Sequence, residues 1–247
     1  MARTKTINDI VNQVALEVGL VPVANVFTTA DRSFAQLVGL ANTCGYELLE
    51  EVPWQQLNQQ YSLTTQAADD GKYDLPDNFG YMIDQTGWNR TDNVPLIGPL
   101  SGQIWQYLLG RDLVSYTIYA SFRENEGQLW LFPQPPPVGI EISFEYISRN
   151  WVRSTDGGGG ELFMDHCAQP ADVPIYEPYL FERLLKLRFL EAKGFDTMAA
   201  EARYNTSLNS WKGKSVGAPV LNQAAGRGGY PLLNGWCNVP DTNYGDA

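Results

Sequence analysis

The feature that most constrains this chain is a change in its hydrophobic period, from helical at both ends to alternating in the middle. An apolar stripe recurring every three or four residues demands a partner surface, whereas strict alternation buries one face of a strand. Residues 6–19 follow the helical rule: Ile7, Ile10, Val11, Val14 and Val18 share a face. Thr6 suits the cap, Asp9 the first turn, and Gly19 the stop. A second helix is predicted from Asp31 to Glu51, striped by Phe34, Leu37, Val38, Ala41, Cys44, Leu48 and Leu49 and stopped by Pro53. The helical period returns after Pro178. Leu180, Phe181, Leu184, Leu185, Leu187 and Phe189 give a wide apolar face, Gly194 breaks it, and Asp196 caps a last helix to about Lys212. Ala200, Tyr204, Leu208 and Trp211 are its expected buried line.

Between these ends the pattern is that of strands. Tyr61–Thr65 alternates, Lys72–Pro76 ends at a proline, and one helix, Ser101–Gly110, interrupts. Two apolar runs, 116–123 and 128–132, flank Glu124-Asn125-Glu126-Gly127 as a hairpin. The prolines of 133–137 cannot donate to a ladder and read as a connection. From Ile140 to Arg149 the alternation is strict: Ile140, Ile142, Phe144 and Tyr146 inward, Glu141, Ser143 and Glu145 outward. Gly157–Gly160 reads as a flexible break, and everything from Gly213 lacks any period.

Neither terminal helix pair can cover its own apolar face, so each is expected to close on the other. The predicted class is α+β: a helical bundle formed by N- and C-terminal helices, an inserted antiparallel β-domain (sandwich or barrel-like), and an extended C-terminal tail. The expected boundaries are 1–56 and 179–214 for the bundle, 57–155 for the β-domain, 156–178 for a linker and 215–247 for the tail.

Charge narrows the function. The net charge of −11 is the wrong sign for a protein that grips phosphate backbone. Between Glu182 and Lys214, however, seven basic residues face four acidic ones. Arg183, Lys186, Arg188, Lys193, Arg203, Lys212 and Lys214 are therefore candidate partner contacts, with Tyr230, Trp236 and Tyr244 of the tail as aromatic anchors. Three scattered cysteines do not make a disulfide framework, which points to a reducing compartment. The N-terminus reads as lacking a signal peptide, and no apolar run is long enough for a membrane span.

No constellation for chemistry emerges, so no catalytic residue, cofactor or metal is expected. His166 and Cys167 are neighbours in sequence, whereas a catalytic Cys–His pair meets in space. No CxxC or HExxH spacing occurs, and Gly157–Gly160 lacks the ending of a phosphate loop. Asp74 with Asp77, and Glu141 with Glu145, are the carboxylate pairs a glycoside hydrolase would need, but nothing indicates a raised pKa. An alternative reading is a carbohydrate-binding or tail-associated glycan-recognition protein, with Trp88, Trp105, Trp130 and Trp151 as stacking platforms.

Several elements together carry a resemblance. A helix pair (TINDIVNQVALEVGL, then DRSFAQLVGLANTCGYELLEE) leads to Pro53-Trp54; Tyr73-Asp74-Leu75-Pro76-Asp77-Asn78-Phe79 follows, then Leu129-Trp130-Leu131-Phe132-Pro133 and Ile142–Ile147. With the broken C-terminal helix pair, these resemble the head–tail adaptors (connectors) of short-tailed bacteriophages, the tail tubular protein A-like group, over roughly residues 6–212. The resemblance implies a structural virion protein at the head–tail junction, assembled in the bacterial host cytoplasm. It further implies a homo-oligomeric ring of 12 copies fixed to the phage portal protein, with a tail nozzle or tube protein on its far side. DNA would pass through the channel without specific binding, and no membrane would be involved.

Overall fold

In the computed structural model the described residues are 4–67, 70–110, 121–155 and 160–215, and they form two compact units. The first draws on Met1–Gln59, Asn78–Tyr81 and Ile147–Val216, the second on Gln60–Asp77 and Met82–Tyr146. The class is mixed α+β, with five helices and antiparallel sheets among the described residues.

In the first unit, α1 (Ile7–Glu17) starts where the Thr6 hydroxyl accepts the Asp9 N–H at 3.2 Å, and it buries Ile7, Ile10, Val11, Val14 and Ala15. Gly19 then takes φ +83°, the left-handed conformation in which a Cβ is strained. α2 (Arg32–Glu51) is capped by Asp31, whose carboxylate accepts the Ser33 N–H at 2.8 Å. Phe34, Leu37, Ala41, Cys44 and Leu48 are buried, while Val38 and Leu49 sit half-buried at the edges of the stripe.

The C-terminal helices are α4 (Pro178–Lys193) and α5 (Met198–Ser215). Proline opens α4 at a position whose N–H needs no partner, and Gly194 closes it in the left-handed conformation at φ +72°. α4 packs on α1, α2 and α5, so helices from the two ends of the chain share one core. Its centre is aromatic. Trp151 stacks on Tyr176 at 5.8 Å and lies 5.9 Å from Phe181, and Trp54 meets Tyr176 edge-on at 5.6 Å. α2 approaches this cluster through Gly45, whose carbonyl accepts the Tyr176 hydroxyl at 3.1 Å and whose missing side chain makes room for the Trp151 ring. On α5, Tyr204 and Leu208 are buried, but Ala200 and Trp211 are only half-buried.

Two strands lie between residues 156 and 178, and both pair with a strand that precedes them. β9 (Val152–Thr155), β10 (Glu161–Met164) and β11 (Val173–Pro174) form a small antiparallel sheet with β9 in the centre. A buried carboxylate organises it. Asp172 accepts the Ser154 hydroxyl at 2.5 Å and the Ala168 and Gln169 N–H groups at 2.7 and 2.8 Å. The Asp172 and Pro170 carbonyls in turn accept the first N–H groups of α1, from Ile7 and Asn8.

The second unit contains the alternating middle. β6 (Ser121–Asn125) and β7 (Gln128–Phe132) form a hairpin, with Glu126 at φ +54° and Gly127 at φ +75°. Two consecutive positive φ values are what a two-residue turn needs to follow the strand twist. β2 (Lys72–Asp74) adds to the outer edge of β7, and α3 (Gly102–Gly110) buries Trp105 within 6.3 Å of the Trp130 and Phe132 rings. A second sheet has the order β1 (Asn58–Thr64), β8 (Glu141–Ser148), β4 (Trp88–Asn89), β5 (Val94–Pro95); β3 is Phe79–Met82. No sheet among the described residues closes into a barrel. Ser143, which alternation assigns to solvent, is 1% exposed, because Arg90 Nε reaches across and donates to its hydroxyl at 2.6 Å.

Candidate partner interface

The seven basic candidates lie on α4 and α5, in the first unit, and most of them have partners there. Lys186 pairs with Glu17 of α1 at 2.8 Å, and Lys212 with Glu51 of α2 at 2.8 Å. Arg188 bridges two carboxylates, Glu47 of α2 at 2.8 Å and Glu191 of its own helix at 2.7 Å, and these hold its guanidinium firmly protonated. Arg183 donates to the Tyr179 hydroxyl at 2.8 Å, to the Arg203 carbonyl at 3.0 Å and to the Ser207 hydroxyl, with its guanidinium stacked 4.2 Å from the Tyr179 ring. These four side chains lace the C-terminal helices to one another and to α1 and α2.

Four candidates make no ion pair among the described residues: Arg183, held by the hydrogen bonds just given, and Lys193, Arg203 and Lys214. Lys193 lies 5.2 Å from the Phe189 ring and Lys214 4.2 Å from the Trp211 ring, so both keep an outward charge over an aromatic base. Arg203 is exposed on the rim of a cavity of about 260 Å³ that also holds Tyr179, Arg183, Lys186 and Glu17. Tyr230, Trp236 and Tyr244 lie outside the described residues. The local excess of basic residues therefore does not become a continuous positive face. Glu17, Glu47 and Glu51, which answer it, are more than 130 residues away in sequence, where no window of local charge detects them.

One further ion pair joins an exposed lysine to a buried carboxylate. Lys5 Nζ lies 2.6 Å from a Glu182 carboxylate whose side chain is 7% exposed, tying the chain before α1 to the first turns of α4. An unpaired carboxylate there would be costly, so Lys5 is structural.

The residues considered for chemistry are dispersed. Cys167 is buried, burial pushes its thiol well above the ordinary value, and its N–H is held by Asn42 at 2.8 Å. A thiol held protonated is a poor nucleophile. His166 is exposed and lies against Asp165 at 2.7 Å, which holds the Asp165 carboxyl below its usual range. Asp74 accepts from Gln128 at 2.8 Å, while Glu141 and Glu145 are exposed strand residues. Among the described residues no three His, Cys, Asp or Glu side chains cluster as metal ligands, and no helix is long and apolar enough to cross a membrane. Of the four proposed stacking platforms, Trp105 and Trp151 are fully buried and Trp88 and Trp130 half-buried. A ring enclosed by its own core offers no face to a sugar.

The second unit holds a larger groove, about 570 Å³, walled by the proline-rich connection after β7 and by the start of β8. Thr65 fixes its shape by donating to the Pro137 carbonyl at 2.6 Å and accepting the Ile140 N–H at 2.9 Å. The signal that marks it in sequence is the run Pro133–Pro137, read above only as a connection. No curated protein matches the chain. A family model described as SU10 adaptor protein matches residues 5–223.

Proposed function

The chain belongs to the SU10 adaptor protein family, and on that premise we propose that it forms a ring joining the phage portal to the tail and lining the DNA channel. Membership makes it a phage structural adaptor and a virion component. The finer reading is that of a tail tubular protein A-like connector: 12 copies, a helical bundle turned to the portal, and a β-domain turned to a tail nozzle or tube protein. The family match over residues 5–223 supports the adaptor role on which this reading builds.

Three observations support the finer reading. An adaptor must meet two different partners, and the chain has two compact units, one mostly helical and one mostly of strands. The net charge of −11 suits a wall past which DNA slides, since repulsion replaces phosphate contacts. Lys193, Arg203 and Lys214 make no ion pair among the described residues and are the residues offered to an acidic partner surface. Beyond them the tail, with Tyr230, Trp236 and Tyr244, acts as an arm that orders on a neighbour. The test is co-sedimentation with isolated portal. The wild-type chain pellets with the portal, and a triple Lys193→Glu, Arg203→Glu, Lys214→Glu variant that folds normally does not. A wild-type chain left in the supernatant contradicts the proposal.

A further inference from the structure

The groove of the second unit plays no part in the reading above, yet its construction is selective. It encloses about 570 Å³, within the range of cavities that accept several side chains of a ligand. Phe132, Pro136, Ile140 and Ile142 give it an apolar wall, and Val138 stands at its rim with 64% of its surface exposed. Prolines 133, 136 and 137 have no N–H to offer, so an occupant is held by apolar contact rather than by strand addition. Asp92 is the one ionisable side chain among the described residues of the lining, and Asn89 Nδ2 fixes its carboxylate at 2.8 Å. The groove therefore asks for a short apolar segment with one cation beside it.

The chain carries such a segment outside the described residues. Residues 216–247 contain one basic side chain, Arg227, and three residues later the run Tyr230-Pro231-Leu232-Leu233. Ala218–Leu221 is also apolar, but it starts only three residues past Ser215, the last residue of α5, and has almost no free reach. Fourteen residues separate Ser215 from Tyr230, a span of up to about 45 Å when extended. We infer that Tyr230–Leu233 of one copy docks in the Phe132–Ile142 groove of a second copy, with Arg227 paired to Asp92. The inference rests on the ring reading, because a ring gives every copy both a tail to lend and a groove to fill.

Cross-linking between two distinguishable full-length chains tests it. Both carry Cys237→Ser, which leaves only the buried Cys44 and Cys167 as native thiols. One chain carries Val138→Cys with Leu232→Glu and Leu233→Glu, so its groove is reactive and its tail disabled. The other carries Leu233→Cys with an intact groove. The expected result, on portal-templated assemblies treated with a short bismaleimide, is a covalent heterodimer, reduced at least about tenfold by adding Asp92→Arg to the first chain, since like charge then faces Arg227. A single chain with both Val138→Cys and Leu233→Cys separates the alternatives: a cross-link confined to the monomer places the tail in its own groove and overturns the inference. Rings in negative stain without the heterodimer overturn the docking and leave the ring reading standing; neither rings nor heterodimer overturns both.

Discussion

Replacing Gly45 with alanine sets two effects against each other. In an exposed helix interior the change is favourable by about 1 kcal/mol, because glycine surrenders more backbone freedom on folding. At Gly45 the new Cβ would overlap the six-membered ring of Trp151. That ring is fully buried and clamped by Tyr176 at 5.8 Å and Phe181 at 5.9 Å, so it has nowhere to go. Overpacking of this kind costs about 1–3 kcal/mol and sometimes more. Displacing α2 to relieve it would also stretch the 3.1 Å bond from Tyr176 to the Gly45 carbonyl, a further loss of about 1 kcal/mol. The net expectation is destabilisation by about 2–3 kcal/mol, taking the overlap at its larger value and subtracting the helix gain. Gly39 on the same helix is the control, since a Cβ there meets nothing within 4 Å. Gly39→Ala is expected to stabilise by up to about 1 kcal/mol. Urea unfolding followed by tryptophan fluorescence and far-UV circular dichroism measures both. Trp151→Leu in the Gly45→Ala background should recover part of the loss, a coupling of about 1 kcal/mol. If Gly45→Ala is as stable as Gly39→Ala, the close approach of α2 to Trp151 does not organise this core.

Asp172→Ala removes an acceptor serving Ser154, Ala168 and Gln169, and should cost about 3 kcal/mol or more. Hydrogen exchange should show β9 and the first turn of α1 opening together, and protection unchanged in both would refute the role assigned to the carboxylate. Lys5→Ala leaves Glu182 buried without its cation, lowering stability by about 1–3 kcal/mol at neutral pH. Adding Glu182→Gln should recover most of that in thermal melts, and no recovery would place the cost elsewhere. Partial loss of hydration at this largely exposed residue, aided by the charge of Asp84, raises the Glu124 carboxyl above its ordinary 4.5. A raised folded-state value means its contribution is fully present below the unfolded value and lost as pH rises through the folded one. Glu124→Gln should therefore be the more stable protein at pH 7, with the difference vanishing near pH 4; a less stable variant at pH 7 would contradict the sign.

Much of the helical framework was legible because its signals are local. Thr6 caps its helix as expected, Asp31 and Gly194 stand where the helices were expected to start and break, and each stripe repeats within a single helix. The β6–β7 hairpin was legible for the same reason, since its turn is written in Glu126 and Gly127. What escaped depends on distant residues. The sheet between Val152 and Pro174 has strands of two to four residues, too short to show a period, and its order comes from the Asp172 carboxylate and from pairing around β9. Ser143 is buried because Arg90 crosses from a neighbouring segment to cover it. The basic run 182–214 looked like an outward patch because the window excluded Glu17, Glu47 and Glu51. Lys186, Arg188 and Lys212 pair with these carboxylates.

The central claim is that this chain is a ring-forming adaptor, and the symmetry of its assembly tests that most directly. Native mass and negative-stain class averages should be recorded for the purified protein, alone and with isolated portal. Closed rings of a single copy number on the portal, with 12 subunits, are expected whatever the state of the free chain. A monomer that stays monomeric beside the portal, or an open filament without closure, would contradict it.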